Sequence, residues 1–167
     1  MVLVLLLRRA SGSRVFVSDI NPFRLEKALE FGVTDVINSL AANPVEVIMD
    51  KTDQMGVDRS FEAVGSETTL LQALRALKKG GTATLLGIFE DPDVIVPVNL
   101  FVQREISLAG SQGYCWDFQD SLTLLENGVV DLKPLITHRL PLNELHQGFE
   151  ILTNPKMASI KVVITME

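Results

Sequence analysis

The chain has a single cysteine, Cys115, and therefore no internal disulfide and no cysteine cluster to build a metal centre. That scarcity suits a reducing compartment, so the expected setting is cytoplasmic. Basic charge is also short: 15 Lys and Arg stand against 21 Asp and Glu, for a net charge of −6. A surface of that sign does not neutralise a phosphate backbone, which excludes nucleic acid as the expected partner. The basic pairs Arg8-Arg9 and Lys78-Lys79 read as solvated helix ends. Long apolar runs are missing as well, and no stretch reaches the roughly 18 residues of a membrane span. The opening MVLVLLLRRA carries its charges after its apolar run, the reverse of a secretory leader. No interior repeat and no low-complexity segment appears. With 47% apolar residues over 167 positions, the chain can bury one core and a small satellite lobe.

What is present alternates strand and helix with short loops, the pattern of a parallel sheet covered on both faces. RVFVSDINPFR (14–24) reads as a buried strand ending in Asp19, then a turn at Asn21-Pro22 and a helix, PFRLEKALEFG, stopped by Gly32. VTDVIN (33–38) is a short strand, PVEVIMDKT (44–52) a helix, and VDRSFEAVG (57–65) a strand ending at Gly65. SETTLLQALRALKKGG (66–81) predicts a helix capped by Ser66 and stopped by Lys78-Lys79-Gly80-Gly81. TATLLGI (82–88) and EISLAGS (105–111) follow as strands, separated by an extended stretch with one helical turn near Pro97. Asp117 to Asn127 reads as a helix closed by Gly128. Beyond Pro134 come a short strand, a turn at Pro141, a helix capped by Asn143 and a final strand, ASIKVVI (158–164).

A carboxylate at the carboxyl end of an early parallel strand is where dinucleotide-binding folds hold the adenosine ribose. Such a strand is normally preceded by the loop G-x-G-x-x-G, whose amides grip the pyrophosphate. No such loop occurs in this sequence. Asp19 is thus a candidate ribose ligand, or alternatively an acid serving the helix start near Pro22.

Several motifs together carry a family resemblance. They are Val15-x-Val17-x-Asp19 with Arg24, Gly32-x-Thr34-Asp35-Val36-Ile37-Asn38, and Gly56-Val57-Asp58-x-x-Phe61-Glu62-Ala63-Val64-Gly65. Ala73-Leu74-x-x-Leu77-Lys78-x-Gly80-Gly81-Thr82 follows, then Ile136-Thr137-His138-Arg139-Leu140-Pro141-Leu142, Gly148-Phe149-Glu150 and Lys161-Val162-Val163-Ile164. Across essentially its whole length the chain resembles the carboxyl-terminal half of the zinc-dependent medium-chain dehydrogenases, most of all the polyol, butanediol and threonine dehydrogenase branch. The resemblance implies a doubly wound, Rossmann-type α/β domain over 1–133, lacking its first strand and glycine loop. A small C-terminal lobe, 134–167, would pack on a catalytic domain. Aligned on Asp19, the family's third loop glycine would fall immediately before Met1. Residues 1–10 would then be the remnant of the first crossover helix, while Val2 to Leu7 would also make an acceptable strand, necessarily antiparallel.

By the same resemblance, Asp19 binds the ribose of NAD and disfavours NADP, and Arg24 lies near the adenosine end. Ala63, Val64 and Gly65, together with Gly87 and Ile88, pass along the nicotinamide half, and Ser111, with Gln112 beside it, faces the same crevice. For the glycines, ordinary turn chemistry is an equal alternative. Zinc belongs to the family, yet Cys115, His138 and His146 lack metal-site spacing. Ser60 and Ser66 lack a nucleophile elbow, and Glu90, Asp91 and Asp93 read as solvated loop acids. The expected function is the cofactor-binding half of an enzyme moving hydride between NAD and a secondary alcohol, with weak cofactor binding and no turnover by this chain alone. The alternative is a non-catalytic binding or oligomerisation module, with Ile106 to Ala109 pairing across a two-fold. Without its central strand the sheet would leave costly unpaired edges, to be closed on each other or covered in an oligomer.

Overall fold

The computed structural model describes residues 14–113, 117–154 and 157–166. The question of helix or strand at 2–7 lies outside these residues, as does Cys115. The fold is α/β with parallel ladders throughout, as the alternating pattern predicts. The chain divides into two units, one of residues 41–114 and the other of the segments on either side.

In the flanking unit, β1 (Phe16–Asp19) pairs in parallel with β2 (Asp35–Asn38), and α1 (Pro22–Glu30) connects them. The helix starts where the sequence places it. Asn21 Oδ1 accepts the Phe23 amide at 2.9 Å, and Pro22 needs no amide partner. Gly32 ends the helix with φ +79°. Val15, Ala28 and Val33 form a small buried cluster beneath Val17, Phe31 and Val36. Leu25 and Ala28 of this helix face inward, and Leu29 is half exposed. The same unit holds α5 (Asp117–Glu126), β6 (Ile136–Pro141), α6 (Leu145–Thr153) and β7 (Lys161–Thr165), with β6 and β7 parallel.

The central unit contains α2 (Pro44–Lys51) and a three-stranded parallel sheet in the order β3 (Val57–Glu62), β4 (Leu77–Leu85), β5 (Ser107–Gly110). Helix α3 (Glu67–Arg75) crosses from β3 to β4, and α4 (Val98–Arg104) precedes β5. Leu70, Leu74, Leu77, Ala83 and Ile106 make its core, with Leu100 and Phe101 of α4 packed against it. Among the described residues β1 has β2 as its ladder partner and β3 has β4, so each presents one side without a strand.

Several expected boundaries move. The helix read over 66–81 stops at Arg75, and Lys78-Lys79-Gly80-Gly81 lie inside β4 rather than closing the helix. Arg104 explains the early stop: its guanidinium donates to the Arg75 carbonyl at 3.1 Å and to the Leu77 carbonyl at 2.5 Å, satisfying oxygens that a longer helix would have bonded internally. Leu77 then pairs with Val57, but Thr82 pairs with Arg59, so the Lys-Lys-Gly-Gly stretch is bulged out of register, with Gly80 at φ +75°. The strand read to Gly65 ends at Glu62, because the Glu62 side chain takes up the next amides. β4 ends at Leu85 rather than Ile88, and β5 covers Ser107–Gly110 only, with Glu105 left-handed at φ +53°. The single turn expected near Pro97 is the seven-residue α4. Asn143 does not cap α6; a 3₁₀ turn over Leu142–Glu144 intervenes and Glu144 holds the cap position without a side-chain bond.

Candidate functional site

Because every ladder is parallel, the carboxyl ends of the strands in each sheet share one edge, and the predicted site residues other than Arg24, which lies in α1, end or closely follow these strands. In the flanking unit, Asp19 is the last residue of β1 and stands opposite Asn38, the last of β2. Its Oδ1 accepts the Asn21 amide at 2.9 Å, and Arg24 Nη1 lies 3.8 Å from its Oδ2. The helix cap is Asn21, so Asp19 acts one step earlier, bracing the turn that delivers α1. Its side chain remains 26% exposed, enough for an oxygen to accept a hydroxyl donor. Asn38 likewise closes its own turn, accepting the Leu40 amide at 3.0 Å.

In the central unit the structure brings Ala63–Gly65, Gly87, Ile88 and Ser111 to adjoining strand ends. The Leu86 and Gly87 amides donate to the Glu62 carbonyl at 2.8 and 3.1 Å, and the Ser111 amide donates to the Leu85 carbonyl at 2.8 Å. The two glycines meet at their backbones. A Cβ on Gly65, where φ is +88°, would lie 2.2 Å from the Ile88 carbonyl oxygen; one on Gly87 would lie 2.4 Å from the Gly65 nitrogen. Turn chemistry alone does not account for this, since Gly87 is needed for close approach and Gly65 for both approach and left-handed backbone. Val64 is 71% and Ile88 86% exposed, leaving two aliphatic side chains in solvent at neighbouring strand tips.

Beneath these loops lies a residue that the sequence reading passed over. Glu62 is 2% exposed. Its Oε1 accepts three donors: the Val64 amide at 2.8 Å, the Gly65 amide at 2.9 Å and the Thr69 hydroxyl at 2.7 Å. Its Oε2 is buried without a partner and faces Gly87, whose Cβ, if present, would lie 2.6 Å away. The available signal was an acid at the end of a strand directly before Ala-Val-Gly. Ser66 is a helix cap, its Oγ accepting the Thr69 amide at 3.2 Å, and not a nucleophile. Ser60 Oγ is buried without a hydrogen-bond partner.

Among the described residues no group of three His, Cys, Asp or Glu side chains has metal-site geometry. His138 Nδ1 sits 3.0 Å from the Thr137 hydroxyl and His146 Nε2 lies 3.4 Å from Glu150, so neither converges with further ligands. Zinc therefore does not fit these residues. No helix among them is long and apolar enough to cross a membrane.

Comparison with known proteins agrees with the motifs. The chain is 30% identical over 161 residues to an alcohol dehydrogenase of Cupriavidus necator, covering 94% of this chain and 44% of that protein. It is 33% identical over 158 residues to an L-threonine 3-dehydrogenase of Caldanaerobacter subterraneus subsp. tengcongensis, covering 91% and 45%. Among solved structures, alcohol dehydrogenase TADH from Thermus sp. ATN1 superposes with a TM-score of 0.88 at 26% identity, covering 97% of this chain and 47% of that one. The 2R,3R-butanediol dehydrogenase of Bacillus subtilis gives 0.87 at 26%, covering 99% and 47%. The chain thus spans about half the length of the relatives it matches. Its fold is that of the cofactor-binding domain of zinc-dependent dehydrogenases, and the family model described as zinc-binding dehydrogenase matches residues 1–127. By sequence and by fold, this chain belongs to the zinc-binding dehydrogenase family.

Proposed function

We propose that the chain is the cofactor-holding part of an NAD-dependent oxidoreductase acting on a secondary alcohol or polyol. The observation that carries this reading is the Asp19 carboxylate at the carboxyl end of parallel β1, in a chain of this family. Asp19 would accept the adenosine ribose hydroxyls and disfavour the 2′-phosphate of NADP. Arg24 would flank the adenosine. Ala63, Val64, Gly65, Gly87, Ile88 and Ser111 would lie along the nicotinamide half, with Val64 and Ile88 offering apolar surface to the ring. NAD when bound supplies the hydride acceptor; these residues bind and orient it. Zinc and the groups that polarise the alcohol would come from outside the described residues.

The C-terminal segment 134–167 is proposed to pack on a catalytic domain. Leu142, Leu145, Phe149 and Leu152 are exposed large apolar residues, which suits such a surface. Among the described residues β5 has a strand on one side only, and its four residues are all exposed, which suits homo-oligomer formation by edge pairing. That edge also favours the second reading, a non-catalytic oligomerisation module. The single cysteine suits a cytoplasmic setting.

Without G-x-G-x-x-G amides on the pyrophosphate, the 167-residue chain is expected to bind NADH weakly and NADPH more weakly still. Titration of the labelled chain with each, followed by NMR, measures both. Shifts at Asp19 and Arg24 that saturate with NADH and vanish in Asp19→Ala support the reading. Absence of NADH binding up to millimolar concentration, with concentration-dependent association intact, would leave the oligomerisation module in its place.

A further inference from the structure

We infer that Glu62 is a positioning residue for the nicotinamide side of the site: it fixes the backbone of both the 63–65 and the 87–88 loops, and through them the surface the ring meets. The inference rests on the proposed cofactor reading for its functional consequence, and on geometry alone for the positioning itself.

Each part of Glu62 holds a different loop. The side chain gathers the Val64 and Gly65 amides onto one oxygen, together with the Thr69 hydroxyl from the first turns of α3. The main-chain carbonyl of the same residue accepts the Leu86 and Gly87 amides. Three hydrogen bonds converging on one buried oxygen tie both loop amides and the start of α3 to a single atom, a link that a lone turn bond does not make. Gly65 and Gly87 then lock together with no room for a methyl group at either. The consequence is that Val64 and Ile88, side chains that hydrophobic collapse would draw inward, are held in solvent instead. Glu62 itself is shielded from that surface, being almost wholly buried, so it acts through the loops and touches no ligand.

The unpartnered Oε2 bears on this role. Its neighbour is Gly87, on the second loop. Any displacement of Glu62 therefore reaches both loops at once, one through the amides and the other through this contact.

The test uses the 167-residue chain and compares wild type with Glu62→Ala, Glu62→Gln and Thr69→Val. One readout is amide hydrogen exchange without ligand; the others are affinities for NADH and for ADP-ribose, which lacks the nicotinamide. Glu62→Ala should accelerate exchange at Val64, Gly65 and Gly87, and weaken NADH about tenfold while leaving ADP-ribose within about twofold. Glu62→Gln keeps an accepting oxygen and should hold NADH within about threefold of wild type. Thr69→Val, isosteric and less disruptive, should give an intermediate rise in exchange and loss of NADH, and decides the matter if Glu62→Ala does not fold. Unchanged exchange at Val64 and Gly65 in these variants overturns the positioning role. So does parallel loss of NADH and ADP-ribose, which marks a merely structural residue, and so does a Gln variant that behaves as Ala. If wild type binds NADH no tighter than ADP-ribose, the nicotinamide reading fails by itself, and the exchange data still decide what Glu62 does.

Discussion

Replacing Gly65, Gly80 and Gly87 by alanine, one at a time, separates backbone strain from steric exclusion within a single unit of the fold. Gly80 has φ +75° and open space around a notional Cβ, so its alanine variant carries only the left-handed penalty. That penalty is about 1–2 kcal/mol, reduced by about 0.4–1 kcal/mol because alanine also narrows the unfolded ensemble. A net loss of about 1 kcal/mol follows. At Gly87 the backbone needs no positive φ, but a methyl group would stand 2.4 Å from the Gly65 nitrogen and 2.6 Å from Glu62 Oε2. Overpacking of this kind costs about 1–3 kcal/mol, and backbone neighbours that cannot swing aside push it to the upper end. Gly65 combines φ +88° with a contact of 2.2 Å to the Ile88 carbonyl, so both costs apply, about 3–5 kcal/mol together. Urea unfolding followed by far-ultraviolet circular dichroism gives the three losses as midpoint shifts at constant slope. The expected order of damage is Gly65 first, Gly87 next, Gly80 least. Gly80→Ala proving the most harmful, or Gly65→Ala no worse than Gly80→Ala, would refute the account of two loops locked backbone to backbone.

Leu74, with no exposed surface, packs among Leu70, Leu77, Ala83 and Ile106; Leu74→Ala should destabilise the chain by about 2–5 kcal/mol in the same assay, and a loss below about 1 kcal/mol would contradict its central place. Asp58 is held below the ordinary carboxylate value, first by its hydrogen bond to Lys78, whose Nζ lies 2.5 Å from Oδ1, and then by the attraction of that charge. A carboxyl depressed on folding stabilises above its unfolded pKa, near 4, and that contribution is lost as pH falls through the lower folded value. Both partners are exposed, so the gain is at most about 1 kcal/mol and shrinks with salt. Asp58→Asn should flatten the acid limb of the stability curve by that amount at low salt; an unchanged limb would remove Lys78 as the cause.

Much of the fold is legible where the signal is local. The helices read from Pro22, Pro44 and Ser66 start there, because a cap is made by a side chain and an amide two or three residues on, here from Asn21, Asn43 and Ser66. The endings are less legible. Lys78-Lys79-Gly80-Gly81 has the composition of a helix stop, but Arg104, 29 residues beyond Arg75, ends the helix earlier and leaves the glycines to a bulge. Asn143 fails as a cap for a similar reason: the chain enters α6 through a 3₁₀ turn after Pro141. The place of Asp19 at a strand end was legible because an acid closing an apolar run before Asn-Pro is a local pattern. Glu62 was not, since nothing in F-E-A-V-G says that the carboxylate turns back under its own loop.

The residues in order determined the alternation of parallel strands and helices, the acid at the tip of β1 and the membership of the family, because periodicity, caps and motif spacing are properties of neighbouring positions. Only the folded chain decided that Gly65 and Gly87 share one small space and that a buried glutamate ties two loops 22 residues apart. Those facts depend on which strand ends lie side by side. Adjacency in a sheet is set by the packing of a whole core, and no short stretch of sequence carries it.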